Sequence, residues 1–223
     1  DFEIIEGYLR LLKRKYLGND LINIHATDLF ERPYFKYRKL IRPYNKQIYR
    51  FLNELETVLK IIPYNVGLYY VDKRKLIAKI GYTPAPKRKT PGINLDMPYE
   101  MCGLEAIMDF TSFLKSCKGM GEIVIESRMY KDSNFVNYFD TARKPTFPGG
   151  NPNPLYKEVM LRVNSLIISN KRVVNGGLEL ADIASYVTYR DLVGDPDSRL
   201  KVDKNYVNIL YSAIKNNTYG SKT

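Results

Sequence analysis

A chain of 223 residues, 44% hydrophobic and 26% charged, is long and apolar enough to bury the core of one globular domain. Lys and Arg number 35 against 24 Asp and Glu, and the net charge of +11 favours a polyanionic partner such as nucleic acid. No segment approaches about 18 apolar residues and no signal pattern opens the chain, so we expect neither a membrane span nor a secretory leader.

Two cysteines bear on the redox setting. Cys102 and Cys117 fall in one predicted helix, which separates them by about 22 Å at roughly 1.5 Å per residue. That distance excludes a disulfide between them, and no Cys/His cluster has zinc-binding spacing. We therefore expect a reducing, cytoplasmic setting.

The N-terminal part predicts a helix, a strand and a candidate site. Apolar residues at helical spacing predict a helix from Ile4 to Tyr16 that ends at Gly18. The segment from Leu21 to His25 predicts a short strand, followed by a loop or helical turn. His25, the only histidine, ends this strand three residues before Asp28. It is either a structural hydrogen-bonding residue or part of a site.

Two basic segments follow. Residues 31–44 are irregular and interleave tyrosines with cations, which suits either a phosphate-tracking surface or a solvated helix and loop. The cations are Arg32, Lys36, Arg38, Lys39 and Arg42. After a helix over 47–60 and a strand over 65–71 that leads into Lys73, a proline-rich arm over 84–92 carries Lys87, Arg88 and Lys89.

The middle of the chain predicts a buried strand with a carboxylate at its end. A helix over 97–118 leads into Ile123 to Glu126, a run without polar alternation that indicates a central strand covered on both faces. Glu126 takes the carboxyl end, where such sheets bind ligands. Arg128 lies on the same face, so a surface ion pair between the two is the alternative.

The C-terminal part predicts helices over 131–143, 155–161, 178–190 and 202–215, a strand over 164–169 and a frayed tail. Asp182 lies at the border of the core face formed by Leu180, Ile183, Ala184 and Val187. The alternation of helices and strands predicts an α/β or α+β domain over residues 1–223, with both sheet faces covered by helices.

Three segments, Ile24 to Leu29, Ile125 to Ser127 and Leu178 to Asp182, resemble motifs of the DUF3800 family in order and spacing. The resemblance extends over nearly the whole chain and implies an α/β, ribonuclease H-like mixed sheet flanked by helices. It further implies that Glu126 and Asp182 hold Mg²⁺ or Mn²⁺, and that His25 and Asp28 orient water or substrate. The family's first strand, with Asp-Glu-Ser-Gly and the first metal ligand, has no counterpart here, so we expect a strand upstream of Asp1.

Three functions are compatible with these patterns. The resemblance implies a metal-dependent nuclease that cleaves phosphodiesters in DNA or RNA. The missing first acid and the charge of +11 would instead suit a non-catalytic nucleic-acid-binding subunit of a larger complex. A protein-interaction domain is the third, and salt-dependent binding of DNA or RNA would separate it from the other two.

The basic arm gives a first prediction. Replacing Lys87, Arg88 and Lys89 with Gln should weaken duplex DNA binding, because fewer condensed counterions are released. The slope of log K against log salt concentration should flatten by about 0.9 for each lost phosphate contact. Titrations at several salt concentrations measure this slope, and an unchanged slope would assign the arm to solubility alone.

Overall fold

The computed structural model describes residues 2–31, 46–71, 75, 97–129, 132–193, 200 and 202–222. Within these ranges it is a mixed α/β protein. The helices are α1 Phe2–Leu17, α2 Ala26–Phe30, α3 Lys46–Ile61, α4 Met97–Ser116, α5 Asp132–Ala142, α6 Tyr156–Arg162, α7 Gly176–Val193 and α8 Lys204–Lys215. The strands are β1 Val66–Tyr69, β2 Gly121–Glu126, β3 Val163–Ser169 and β4 Thr218–Lys222.

The chain divides into two compact units. The first comprises Asp1–Leu68 and Lys171–Gly220, and the second comprises Tyr69–Asn170 and Ser221–Thr223. The prediction that residues 1–223 form one domain stays a prediction, because two compact units can belong to one domain or to two.

The first unit packs α1, α3, α7 and α8 around one apolar cluster. Each helix contributes a stripe of side chains at helical spacing, as with Phe51, Leu55 and Leu59 of α3, none of which is exposed. Gly18 ends α1 as predicted: its φ is +70°, a conformation that favours glycine, and its N–H donates to the Arg14 carbonyl.

The second unit packs α4, α5 and α6 beside a parallel pair of strands. β2 pairs with β3 in a register that places Ile123 opposite Leu166 and Glu126 opposite Ser169. Gly121 at the start of β2 permits close packing, since a Cβ there would lie 2.7 Å from the Phe110 ring.

The prediction of a central strand buried on both faces was wrong for the described part of the chain. Residues Ile123 to Glu126 are half-buried, and β2 and β3 form a two-stranded sheet. Ile123 packs against the helical cluster, while Ile167 of β3 is 41% exposed. An apolar run therefore marked a strand correctly without marking full burial.

The helices predicted from periodicity are all present, with ends that differ by a few residues. Two other predictions were wrong. Residues 21–25 form a turn and an extended segment, and they pair with no strand in the part of the chain that the structure describes. Carboxylates of α7 accept the backbone N–H groups of Ile24 and Ala26 instead. The tail predicted to fray contains β4, which pairs with β1, and Val66 donates its N–H to the Asn217 carbonyl beside that pair.

Two further expectations concern single residues and the membrane. Cys102 and Cys117 are both free thiols, as the helical spacing predicted. Among the described helices, none combines the length and the apolar character that a membrane crossing requires.

A buried ion pair joins α1 and α7, which belong to the two separate chain segments of the first unit. The Nζ atom of Lys13 in α1 lies 3.0 and 3.1 Å from the carboxylate oxygens of Glu179 in α7. The Lys13 side chain is 0% exposed and that of Glu179 is 4% exposed. Burial raises the pKa of the Glu179 carboxyl, and hydrogen bonds from the Ile24 N–H and Lys13 oppose the shift.

This pair gives a stability prediction. Lys13→Met should lower the free energy of unfolding by about 3–5 kcal/mol, because Glu179 would stay buried without its partner. The loss should shrink as the pH is lowered from neutral, since a carboxyl whose pKa is raised takes up a proton above its ordinary range and so loses the unpaired charge. Urea denaturation at several pH values measures both effects.

The double variant Lys13→Met/Glu179→Gln should be more stable than Lys13→Met alone, because the amide oxygen still accepts the Ile24 N–H and no charge is buried. Glu3→Ala, at an exposed position of α1, is the control and should change stability by about 0.5 kcal/mol or less. A Lys13→Met variant as stable as the Glu3→Ala control would contradict the prediction.

Candidate functional site

Helix α7 presents two carboxylates to the extended segment that precedes α2. Glu179 and Asp182 are three residues apart and share a helix face. Glu179 Oε1 accepts the Ile24 N–H at 2.8 Å, and Asp182 Oδ2 accepts the Ala26 N–H at 2.8 Å. Alternate N–H groups of an extended chain point to the same side, so the two acids fix this segment along α7.

The structure brings His25 and Asp182 together. His25 precedes α2 with extended backbone angles of φ −109° and ψ 130°. Its Nδ1 lies 3.7 Å from Asp182 Oδ2, which is an ion-pair distance if the imidazole is protonated and is too long for a hydrogen bond. The side chains are 35% and 47% exposed, so this pair is open to solvent.

One carboxylate oxygen of Asp182 remains available to other partners. Its Oδ2 takes the Ala26 N–H, whereas Oδ1 accepts no hydrogen bond from any residue that the structure describes. An exposed carboxylate oxygen beside an imidazole can bind a cation, a water molecule or a substrate hydroxyl. The same contact with Ala26 also caps the first turn of α2.

The far end of α2 is also fixed by α7. Tyr186 donates its hydroxyl to Glu31 Oε1 at 2.9 Å, and its ring stacks on Phe30 with centroids 5.1 Å apart. Burial and the Glu31 carboxylate raise the pKa of Tyr186, which keeps its hydroxyl a donor. Arg190 Nη1 lies 3.8 Å from the same Glu31 oxygen. Segment 24–31 therefore has anchors along its whole length.

Asp28 lies in the first turn of α2 and is half-buried, two residues after Ala26. A carboxylate is favoured there because the first turn of a helix exposes unpaired N–H groups. Its predicted role in orienting water or substrate stays a prediction.

Glu126 is the last residue of β2, as predicted, and belongs to the second unit. The chain after it is held by Asp132, which accepts the Ser127 hydroxyl at 2.7 Å and the Arg128 N–H at 2.5 Å. Arg128 is exposed. The predicted convergence of Glu126 with Asp182 stays a prediction.

The predicted metal ligands do not form a complete set by themselves. In the ranges covered by the structure, no group of three or more His, Cys, Asp and Glu side chains is arranged to hold one ion. Mg²⁺ prefers six oxygen ligands in near-octahedral geometry, several of which are commonly waters. Among the described side chains no complete set is present, so a bound ion would need water molecules or further groups as ligands.

Most of the predicted nucleic-acid-binding cations lie outside the described residues, and Arg128 is the exception. Those outside are Arg32, Lys36, Arg38, Lys39, Arg42, Lys73, Lys87, Arg88 and Lys89.

Sequence reasoning missed a basic turn beside the His25 segment. Lys171 and Arg172 are exposed, and Asn23 donates its side-chain N–H to the Lys171 carbonyl at 2.7 Å. Asn23 is two residues before His25, so this turn lies next to the segment that carries the imidazole. The available signal was a pair of cations directly after a predicted strand.

Sequence reasoning also missed the supporting pair Lys13 and Glu179. Lys13 stands four residues after Leu9 and four before Leu17, both buried, so it lies on the core side of its helix. A cation at that spacing predicts a buried partner.

No family model, curated protein or solved structure matched the chain, and the resemblance to the DUF3800 family stays a prediction.

The capping contact is testable on its own. Asp182→Ala should lower the free energy of unfolding by about 1 kcal/mol, because the Ala26 N–H loses its acceptor. Asp182→Asn keeps a side-chain oxygen and should retain most of that stability. Urea denaturation measures the change, and amide hydrogen exchange at Ala26 reports the bond directly. An alanine variant with unchanged stability and unchanged exchange at Ala26 would contradict the contact.

Proposed function

We propose that this chain is a phosphodiester hydrolase of ribonuclease H-like fold that acts on nucleic acid and depends on Mg²⁺ or Mn²⁺. The observation that supports this best is the meeting of His25 and Asp182. They are 157 residues apart in the sequence, yet one carboxylate oxygen contacts both the Ala26 N–H and the His25 ring. Two of the three segments that carry the family resemblance thus lie side by side.

The chemistry of the pair suits hydrolysis of a phosphodiester. An imidazole at a solvent-open position can hold or transfer a proton, and a carboxylate can orient an attacking water. His25 is carried by a segment with several anchors on α7, and Asp182 belongs to α7 itself, so their positions are fixed before substrate arrives. The resemblance alone assigns metal binding to Glu126 and to Asp182, and a role in positioning water or substrate to Asp28.

The surroundings suit a polyanionic substrate. Lys171 and Arg172 lie on the turn that Asn23 contacts, and the whole chain carries +11. Cations close to the reacting group would attract and orient a phosphate backbone. The charge alone supports the alternative of a non-catalytic binding subunit equally well, and the paired His25 and Asp182 favour the hydrolase.

Three variants test the hydrolase. Asp182→Asn, Glu126→Gln and His25→Ala should each reduce Mg²⁺-dependent cleavage of labelled single-stranded and duplex DNA and RNA by about 100-fold or more. Binding of the same substrates should change little, because the cations remain. EDTA should abolish cleavage, and added Mg²⁺ or Mn²⁺ should restore it.

Asp203→Asn is the matched control. Asp203 also accepts a backbone N–H at a helix start, from Asn205 at the beginning of α8, and has no place in the proposed site. It should leave cleavage unchanged. If the wild-type chain binds nucleic acid in a salt-dependent way but shows no cleavage with either metal, the non-catalytic subunit is the better description. Absence of both binding and cleavage would contradict both functions.

A further inference from the structure

A cavity of about 320 Å³ opens between α1 and α3 in the first unit. Lys15, Tyr16, Gln47, Arg50 and Glu54 line it, and none of them belongs to the site described above. Ligand pockets in proteins start at about 300 Å³. The cavity is therefore large enough for one small ligand and too small for a folded partner.

Three polar side chains of the cavity come from one face of α3. Gln47, Arg50 and Glu54 stand three and four residues apart, which places their side chains in a row. Lys15 and Tyr16 of α1 complete the wall opposite that row. The edge-to-face packing of Tyr16 on Phe51, with centroids 5.8 Å apart, ties this wall to the core.

The Glu54 carboxylate uses one of its two oxygens for hydrogen bonds with the described residues. Its Oε1 accepts hydrogen bonds from Lys15 Nζ at 2.5 Å and from the Tyr16 hydroxyl at 2.7 Å. These bonds, with that from Lys15 the stronger, hold the pKa of the Glu54 carboxyl below its usual range. Its Oε2 accepts no hydrogen bond from the described residues. The carboxylate is thus positioned and ionised, with one oxygen able to accept a ligand hydroxyl.

Arg50 is exposed and makes no hydrogen bond or ion pair with the residues that the structure describes. Opposite charges four residues apart on a helix commonly pair, as Lys60 and Glu56 do. Here Lys15 occupies the Glu54 oxygen instead. The planar guanidinium keeps its N–H donors for another acceptor, and its geometry matches the oxygens of a phosphate.

We propose that this cavity binds a phosphorylated nucleoside unit. Arg50 contacts the phosphate, Glu54 Oε2 accepts a sugar hydroxyl, and the Gln47 amide offers a donor and an acceptor to the base edge. The unit is either a free nucleotide or one residue of a nucleic-acid chain, because both present the same groups. This inference goes beyond the proposed hydrolase and does not depend on it.

Calorimetric titration at low salt and without metal tests the inference. Adenosine monophosphate should bind at least about tenfold more tightly than adenosine or inorganic phosphate, because only the nucleotide uses Arg50 and Glu54 together. Arg50→Ala should weaken its binding by about tenfold or more, and Arg50→Lys by less, since lysine keeps the charge without the planar donors. Glu54→Gln should weaken it and should leave phosphate binding unchanged.

Arg14→Ala is the matched control, since Arg14 lies on α1, is 69% exposed and pairs with Asp20 away from the cavity. It should leave nucleotide binding unchanged. A short oligoadenylate that binds more tightly than the mononucleotide, with the same loss in Arg50→Ala, identifies a nucleic-acid chain as the source; the reverse order identifies a free nucleotide. No binding of either ligand, or equal losses in Arg50→Ala and Arg14→Ala, would overturn the inference.

Discussion

The first unit depends on one electrostatic constraint, which is that the ammonium group of Lys13 is buried and must have a partner. Removing a charge from water costs several kcal/mol, and only a close opposite charge with further hydrogen bonds offsets it. Glu179 supplies that charge and also accepts the Ile24 N–H. The pair therefore fixes the distance and rotation of α7 relative to α1 more narrowly than apolar packing would.

The position of the candidate site follows from that constraint. Once Glu179 faces inward, the geometry of α7 places Asp182 nearly one turn further along, at the rim of the core and at the level of Ala26. Tyr186 and Arg190 continue along the helix toward Glu31. A helix that serves as the anchor for a short irregular segment thereby presents His25 and Asp182 to solvent in a defined arrangement.

Elements with strong local signals could be predicted from the sequence. The apolar residues of α1 and α3 recur every three or four positions, and those of β2 and β3 follow one another directly. The spacing alone therefore indicates a helix in the first case and a strand in the second. Segment 21–25 could not be predicted in this way, because its backbone is bonded by carboxylates about 155 residues away. The pairing of Lys13 with Glu179 was missed for the same reason. The position of Lys13 between buried leucines indicates a buried partner, but the spacing does not identify which residue that partner is.

The first unit is assembled from two segments that lie far apart in the sequence, and this has a consequence for its synthesis. Helix α7 leaves the ribosome about 150 residues after segment 24–31, a delay on the order of ten seconds at 5–20 residues per second. Throughout that interval Lys13 has no carboxylate to bury against and the Ile24 N–H has no acceptor from α7. The helices made earlier must therefore remain solvated or be held by chaperones, and the first unit completes its core only after α7 and α8 have been synthesised.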